Sequence, residues 1–149
     1  MADYHLAQLN IAQMRTPFED PSMADFTANL ERINALADQS PGFVWRLEDE
    51  DGNATSLRPF GDDLLVNLSV WEDLDSLRAF VFKSAHADIM RRRSEWFDRM
   101  DTDYVVLWWV PAGHRPTEQE AGERLDRLRS DGPGPDAFSF REPFDPPAA

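Results

Sequence analysis

The sequence predicts an α+β domain with the element order strand, helix, strand, strand, helix, strand around one antiparallel sheet. Three observations predict it. Four short segments show two-residue alternation or aromatic and β-branched enrichment, the signature of half-buried strands. Two longer stretches between them repeat apolar residues at helical spacing. The length of 149 residues suits a single core.

The elements follow in order. His5 to Ala12 reads as the first strand, with Ala7, Leu9 and Ile11 on one side and Gln8, Asn10 and Ala12 on the other. Thr16-Pro17 and Asp20-Pro21 interrupt the chain. A helix follows from about Ser22 to Asp38 on the apolar stripe Met23, Phe26, Leu30, Ile33, Leu36 and Ala37, ended by Ser40-Pro41-Gly42. Phe43 to Leu47 is the second strand, and Asp49 to Asn53 carries turn chemistry in a connection reaching Gly61. Leu64 to Trp71 is the third strand. Asp73 caps a second helical region that runs through Phe80, breaks near Lys83-Ser84 and resumes to Met100. Tyr104 to Val110 is the fourth strand. This βαββαβ order is the ferredoxin-like arrangement. An extra C-terminal helix from Thr117 to Ser130 carries Thr117 and Glu120 as a capping box. From residue 132 a Pro- and Gly-rich extended tail is anchored by Phe138, Phe140 and Phe144. No repeat or linker divides residues 1–149, so one domain is expected.

Composition narrows the function. There is no Cys, which removes disulfides, thiolate metal sites and cysteine nucleophiles and fits a reducing compartment. The first residues have neither a basic start nor an apolar run, and the longest apolar run, Val105 to Pro111, is too short to span a bilayer. A cytoplasmic location is expected. The net charge of −13 repels polyanions, which disfavours nucleic acid and anionic membrane as partners. Arg91-Arg92-Arg93 with Glu95 and Asp98 reads as a solvated, salt-bridged face.

The third strand carries the functional signal. Leu64, Val66, Leu68 and Val70 point one way and are expected to meet the helices; Leu65, Asn67, Ser69 and Trp71 point the other. The first strand repeats the mixture with Gln8 and Asn10, and the fourth carries Trp108 and Trp109 on opposite faces. Such an open face can stack RNA bases, which the charge opposes. It can pack as plain core. It can also close against a second copy, leaving cavities of indoles and oriented polar groups typical of small-molecule sites.

His86 lies on a stripe with Met90, Arg93 and Phe97, beside the Ile89 and Trp96 stripe. That placement suits a general base, a heme iron ligand or a half-buried histidine bonded to a carbonyl. His5 and His114 are weaker candidates, and the three histidines lack metal-ligand spacing. No phosphate loop or nucleophile elbow is present. The acidic clusters Asp49 to Asp51 and Asp62-Asp63 read as solvated loops. Arg46 and Arg58 could hold an anion; Trp45 and Arg46 lie on opposite sides of their strand, so one of them enters the open-face space.

Five segments carry a resemblance: Tyr4 to Asn10, Ser40 to Arg46, Asn67-Leu68-Ser69-Val70-Trp71, Ser84-Ala85-His86, and Leu107-Trp108-Trp109-Val110-Pro111-Ala112-Gly113-His114. Together they resemble the bacterial family of domain of unknown function 3291 along nearly the whole chain. The resemblance implies a homodimeric α/β-barrel of the antibiotic-biosynthesis-monooxygenase type. Val70-Trp71 and Phe82 to His86 are also similar to the heme-degrading monooxygenases of that superfamily. This second resemblance implies a heme ligated by His86, with Asn10 on the distal side; the tryptophan of that catalytic trio has no equivalent, the nearest position being Phe80.

The function expected is binding of a small hydrophobic or aromatic molecule, with heme as implied cofactor or none. His86 and Asn10 are the expected catalytic residues, His86 also the heme iron ligand. Asn67, Trp71, Trp109, Trp45, Arg46, Trp96 and Met90 are the expected ligand contacts. One alternative is a cofactor-independent monooxygenase or cyclase acting on a polycyclic aromatic substrate. Another is a non-catalytic binding or stress-response dimer.

Overall fold

The structure, a computed structural model, describes residues 3–48, 60–61, 63–83, 91–100 and 102–147. Strand β1 spans Tyr4–Gln13, helix α1 Ala24–Gln39, β2 Phe43–Arg46, β3 Leu64–Trp71, α2 Leu74–Lys83, β4 Val105–Pro111 and α3 Glu118–Asp131, with short 3-10 turns at Pro21–Met23 and Arg93–Glu95. The strands form one antiparallel sheet in the order β2-β3-β1-β4. The expected βαββαβ order is the observed one, and the fold is α+β.

Local chemistry sets the element ends. The Asp73 carboxylate accepts from the Ser76 N–H at 2.8 Å and opens α2. Gly42, at φ 82°, turns the chain out of α1 into β2, and a Cβ there would collide with the Ser76 side chain. In α3, a Cβ on Gly122 would sit 2.9 Å from the Phe60 ring, so the missing side chain lets that ring pack on the helix.

Three expectations are corrected. The helix expected to resume to Met100 does not reach it: Phe97 bridges Met14, and Asp98 N–H donates to the Gln13 carbonyl at 2.8 Å, so pairing with the end of β1 draws this backbone out of helix. The capping box at α3 is half formed. Thr117 Oγ1 accepts from the Glu120 N–H at 3.1 Å, but the Glu120 carboxylate is engaged by Trp108 Nε1 at 2.9 Å and His114 Nε2 at 2.7 Å.

The third correction concerns the faces of the sheet. Val66, Leu68 and Val70 do not meet α1 and α2. They pack with Ala7, Leu9, Val106 and Trp108 under α3, through Ala121, Leu125 and Leu128. Helices α1 and α2 cover the other face, where Ile33, Ala37, Leu77 and Phe80 meet Leu6, Trp71 and Leu107. Alternation separates the two faces of a strand but does not say on which one a crossover helix lands. The face read as open is therefore roofed by the chain's own helices.

The tail returns along the same domain. Phe138, fully buried, exchanges both backbone hydrogen bonds with Leu107 at 2.8 Å. Trp109 Nε1 donates to the Phe144 carbonyl at 2.9 Å, and Arg78 Nη2 to the Phe140 carbonyl at 3.1 Å. Among the described residues no helix is long and apolar enough to cross a membrane.

Candidate functional site

Strand register brings the polar residues of the sheet together. Asn10 is opposite Asn67, Gln8 opposite Ser69, and Leu6 opposite Trp71. All six side chains fall on the face under α1 and α2. At one end Leu6 and Trp71 join the apolar cluster of α1 and α2. At the other, Ala12 and Leu65 join Met14, Met23, Trp96 and Phe97. Between these clusters lies a chamber of about 340 Å³, floored by Gln8, Asn10, Asn67 and Ser69 and roofed by Phe26, Leu30, Ile33, Phe80 and Val81. A chamber of this size and lining suits a small organic ligand.

The floor is a connected hydrogen-bond ladder. Asn10 Nδ2 donates to Gln8 Oε1 at 3.3 Å, and Gln8 Nε2 donates to Asn67 Oδ1 at 2.5 Å and to Ser69 Oγ at 2.7 Å. Trp71 Nε1 donates to the same Ser69 oxygen at 2.9 Å. Gln8 and Ser69 are buried, and the ladder satisfies them. The bonds leave the Asn10 side-chain carbonyl and the Asn67 amide nitrogen for a ligand, an acceptor and a donor on residues paired across the two strands.

The expected site residues divide in their placement. Asn10, Asn67, Trp71 and Arg46 border the chamber. Trp71 is stacked on Phe80 with ring centroids 5.2 Å apart and meets Phe43 edge-on at 5.4 Å. Of the Trp45 and Arg46 pair, Arg46 faces the chamber; its guanidinium is bound by Asp38 at 2.8 Å and Glu48 at 3.4 Å. Trp45 is opposite Val70 and packs on the α3 face, because a bulge between Phe43 and Trp45 resets the β2 register. Trp109 shares the chamber face of the sheet but spends its indole on the tail. Trp96 sits behind the wall, 5.5 Å from the Phe26 ring and under the Arg92 guanidinium. Trp45, Trp109 and Trp96 thus border no part of the chamber as described. His86 and Met90, with Arg58 and Asp49 to Asp51, lie outside the described residues.

Several chamber residues went unread in the sequence. Gln8 is expected on the polar face of the sheet but not among the ligand contacts, although its pairing opposite Ser69 makes it the centre of the ladder. Tyr104, the expected start of β4, and Asn34 of α1 both border the chamber. Arg93 was assigned to a salt-bridged face. Arg92 does form that face, at 2.7 Å from Glu95 and 2.8 Å from Asp25. Arg93 turns inward to border the chamber. Its place on one stripe with Phe97 was the available signal.

The donor set bears on heme. Among the described chamber residues only Tyr104 is of a type that ligates heme iron. Its ring face is covered by the Arg93 guanidinium, 4.5 Å from the centroid. The described walls by themselves supply no histidine or methionine to hold heme iron. Among the described residues no group of three acidic or histidine side chains could hold a metal ion.

Solved structures with similar folds include SnoaB, a cofactor-independent oxygenase from Streptomyces nogalater, at 21% identity and a TM-score of 0.45 over 80% of this chain and 100% of that one. Rv0793 from Mycobacterium tuberculosis matches at 12% identity and 0.48 over 76% and 99%. NE2512, a protein of unknown function from Nitrosomonas europaea, matches at 14% and 0.47 over 77% and 95%. No curated protein matches the chain at a significant level. The family model described as Domain of unknown function (DUF3291) matches residues 5–149, and the chain belongs to that family.

Proposed function

We propose that the chamber binds a small, flat aromatic molecule bearing an oxygen substituent. The observation that carries this reading is the opposition of a hydrogen-bonded amide floor to a largely apolar roof across about 340 Å³. The apolar roof favours a ring system, and the Asn10 carbonyl with the Asn67 amide suits a hydroxyl or carbonyl group at its edge. Oxidation of an electron-rich phenol by dioxygen is the activity this binding would serve, and a homodimer is the assembly the family resemblance implies. His86 as proton acceptor or heme ligand belongs to the same set of proposals.

Calorimetric titration with 2-naphthol tests the binding. Saturable binding is expected, weakened about fivefold by Asn67→Ala through loss of one hydrogen bond and abolished by Leu30→Trp, which fills the roof. No saturable binding, or binding indifferent to both changes, overturns the reading. Oxygen-electrode assays with anthrone-like phenols then separate a catalyst from a binding protein, and sedimentation equilibrium reads the assembly. Hemin is the control: a Soret band lost in His86→Ala would replace the phenol reading with heme.

A further inference from the structure

Arg93 stands in the 3-10 turn at one end of the chamber and borders it. Its guanidinium lies 4.5 Å from the Tyr104 ring centroid and 5.6 Å from that of Phe97. Neither ring neutralises it. Its Nη2 atom is buried and has no hydrogen-bond partner. Among the described residues no carboxylate pairs with Arg93, in a chain holding 28 Asp and Glu against 15 Lys and Arg. Arg92 and Arg46, by contrast, are both held by carboxylates.

A partly buried cation whose Nη2 group is shut off from water and left unbonded is costly. The arrangement is explained if the missing carboxylate arrives with the ligand. Tyr104 immediately precedes Val105, which is opposite Asn10, so the guanidinium and the Asn10 amide lie at the same end of the chamber.

We infer that the ligand is an aromatic carboxylate whose acid group pairs with Arg93 while its ring lies between the amide floor and the apolar roof. A single planar cation matches one planar carboxylate in charge and in geometry. A phosphate, carrying close to two charges at neutral pH, would leave one unmatched. The chain's net charge of −13 repels anions at long range, so this recognition is local.

The inference rests on the chamber reading, and the test separates the two. The full chain is titrated calorimetrically with 2-naphthoate and with neutral 2-naphthamide, which share one ring system. Naphthoate is expected to bind at least tenfold more tightly than the amide. Arg93→Met is expected to remove that preference, and Arg93→Lys to keep part of it. Naphthoate should raise the melting temperature of the wild type but not of Arg93→Met, a difference that a purely structural arginine would not produce. Equal affinity for both probes overturns the carboxylate inference and leaves the chamber reading standing. Absence of binding by either probe and by 2-naphthol overturns both. The comparison of two probes on the wild type needs no variant to fold.

Discussion

Gln8 and Ser69 face each other across the β1–β3 pair, and Gln8 Nε2 reaches the Ser69 oxygen at 2.7 Å with both residues buried. That oxygen also receives the Trp71 indole N–H, so Ser69→Ala strands the buried indole N–H and leaves Gln8 Nε2 with Asn67 alone. The expected loss is about 1–3 kcal/mol from the unsatisfied indole, read by urea unfolding. A loss below about 0.5 kcal/mol, the range of ordinary surface changes, would show that the ladder is not formed.

Glu120 joins the fully buried Trp108 to the half-exposed His114. Glu120→Ala leaves the indole N–H unpaired and should cost about 1–3 kcal/mol. Glu120→Gln, which keeps an acceptor, should cost less, and His114→Ala at the exposed end under about 1 kcal/mol. Thermal denaturation of the three variants checks the ranking.

Gly42 and Gly113 both have positive φ, 82° and 93°, but only Gly42 has a neighbour a Cβ would meet. Gly113→Ala isolates backbone strain and should cost about 1 kcal/mol. Gly42→Ala adds the collision with Ser76 and should cost about 1–3 kcal/mol more. Equal losses would contradict the close approach of β2 and α2.

Phe138 is fully buried and pairs with Leu107, carrying the tail onto β4. Phe138→Ala should cost about 3–5 kcal/mol and make the chain beyond Gly134 susceptible to limited proteolysis. Unchanged protease resistance would mean the tail is held elsewhere.

Arg92 donates two hydrogen bonds to the Glu95 carboxylate, at 2.7 and 3.0 Å, and these hold the Glu95 pKa below its usual value. A carboxylate depressed in the folded state stabilises that state at neutral pH, and the contribution is lost as pH falls through the folded pKa. Carboxyl NMR titration should find Glu95 titrating low in the wild type and returning upward in Arg92→Gln.

Much of the fold was legible because strand and helix periods differ. Alternation in Leu64 to Trp71 placed Asn67 and Ser69 with Trp71, and that grouping is the chamber floor. Capping chemistry at Asp73 and Thr117 located helix starts for the same local reason. Trp45, Trp96 and Trp109 lie away from the described chamber, because a side chain's type says it will be buried, not in which compartment. A bulge, a second apolar cluster and the returning tail decided those three.

By itself the sequence determined the element order and the two-faced strands, since these depend on local periodicity and nearest neighbours along the chain. Only the tertiary structure decided which face α1 and α2 cover, that Gln8 ties Asn67 to Ser69, and that Arg93 turns inward while Arg92 turns out. Those outcomes depend on contacts between residues tens of positions apart, whose register and crossover side no local pattern encodes.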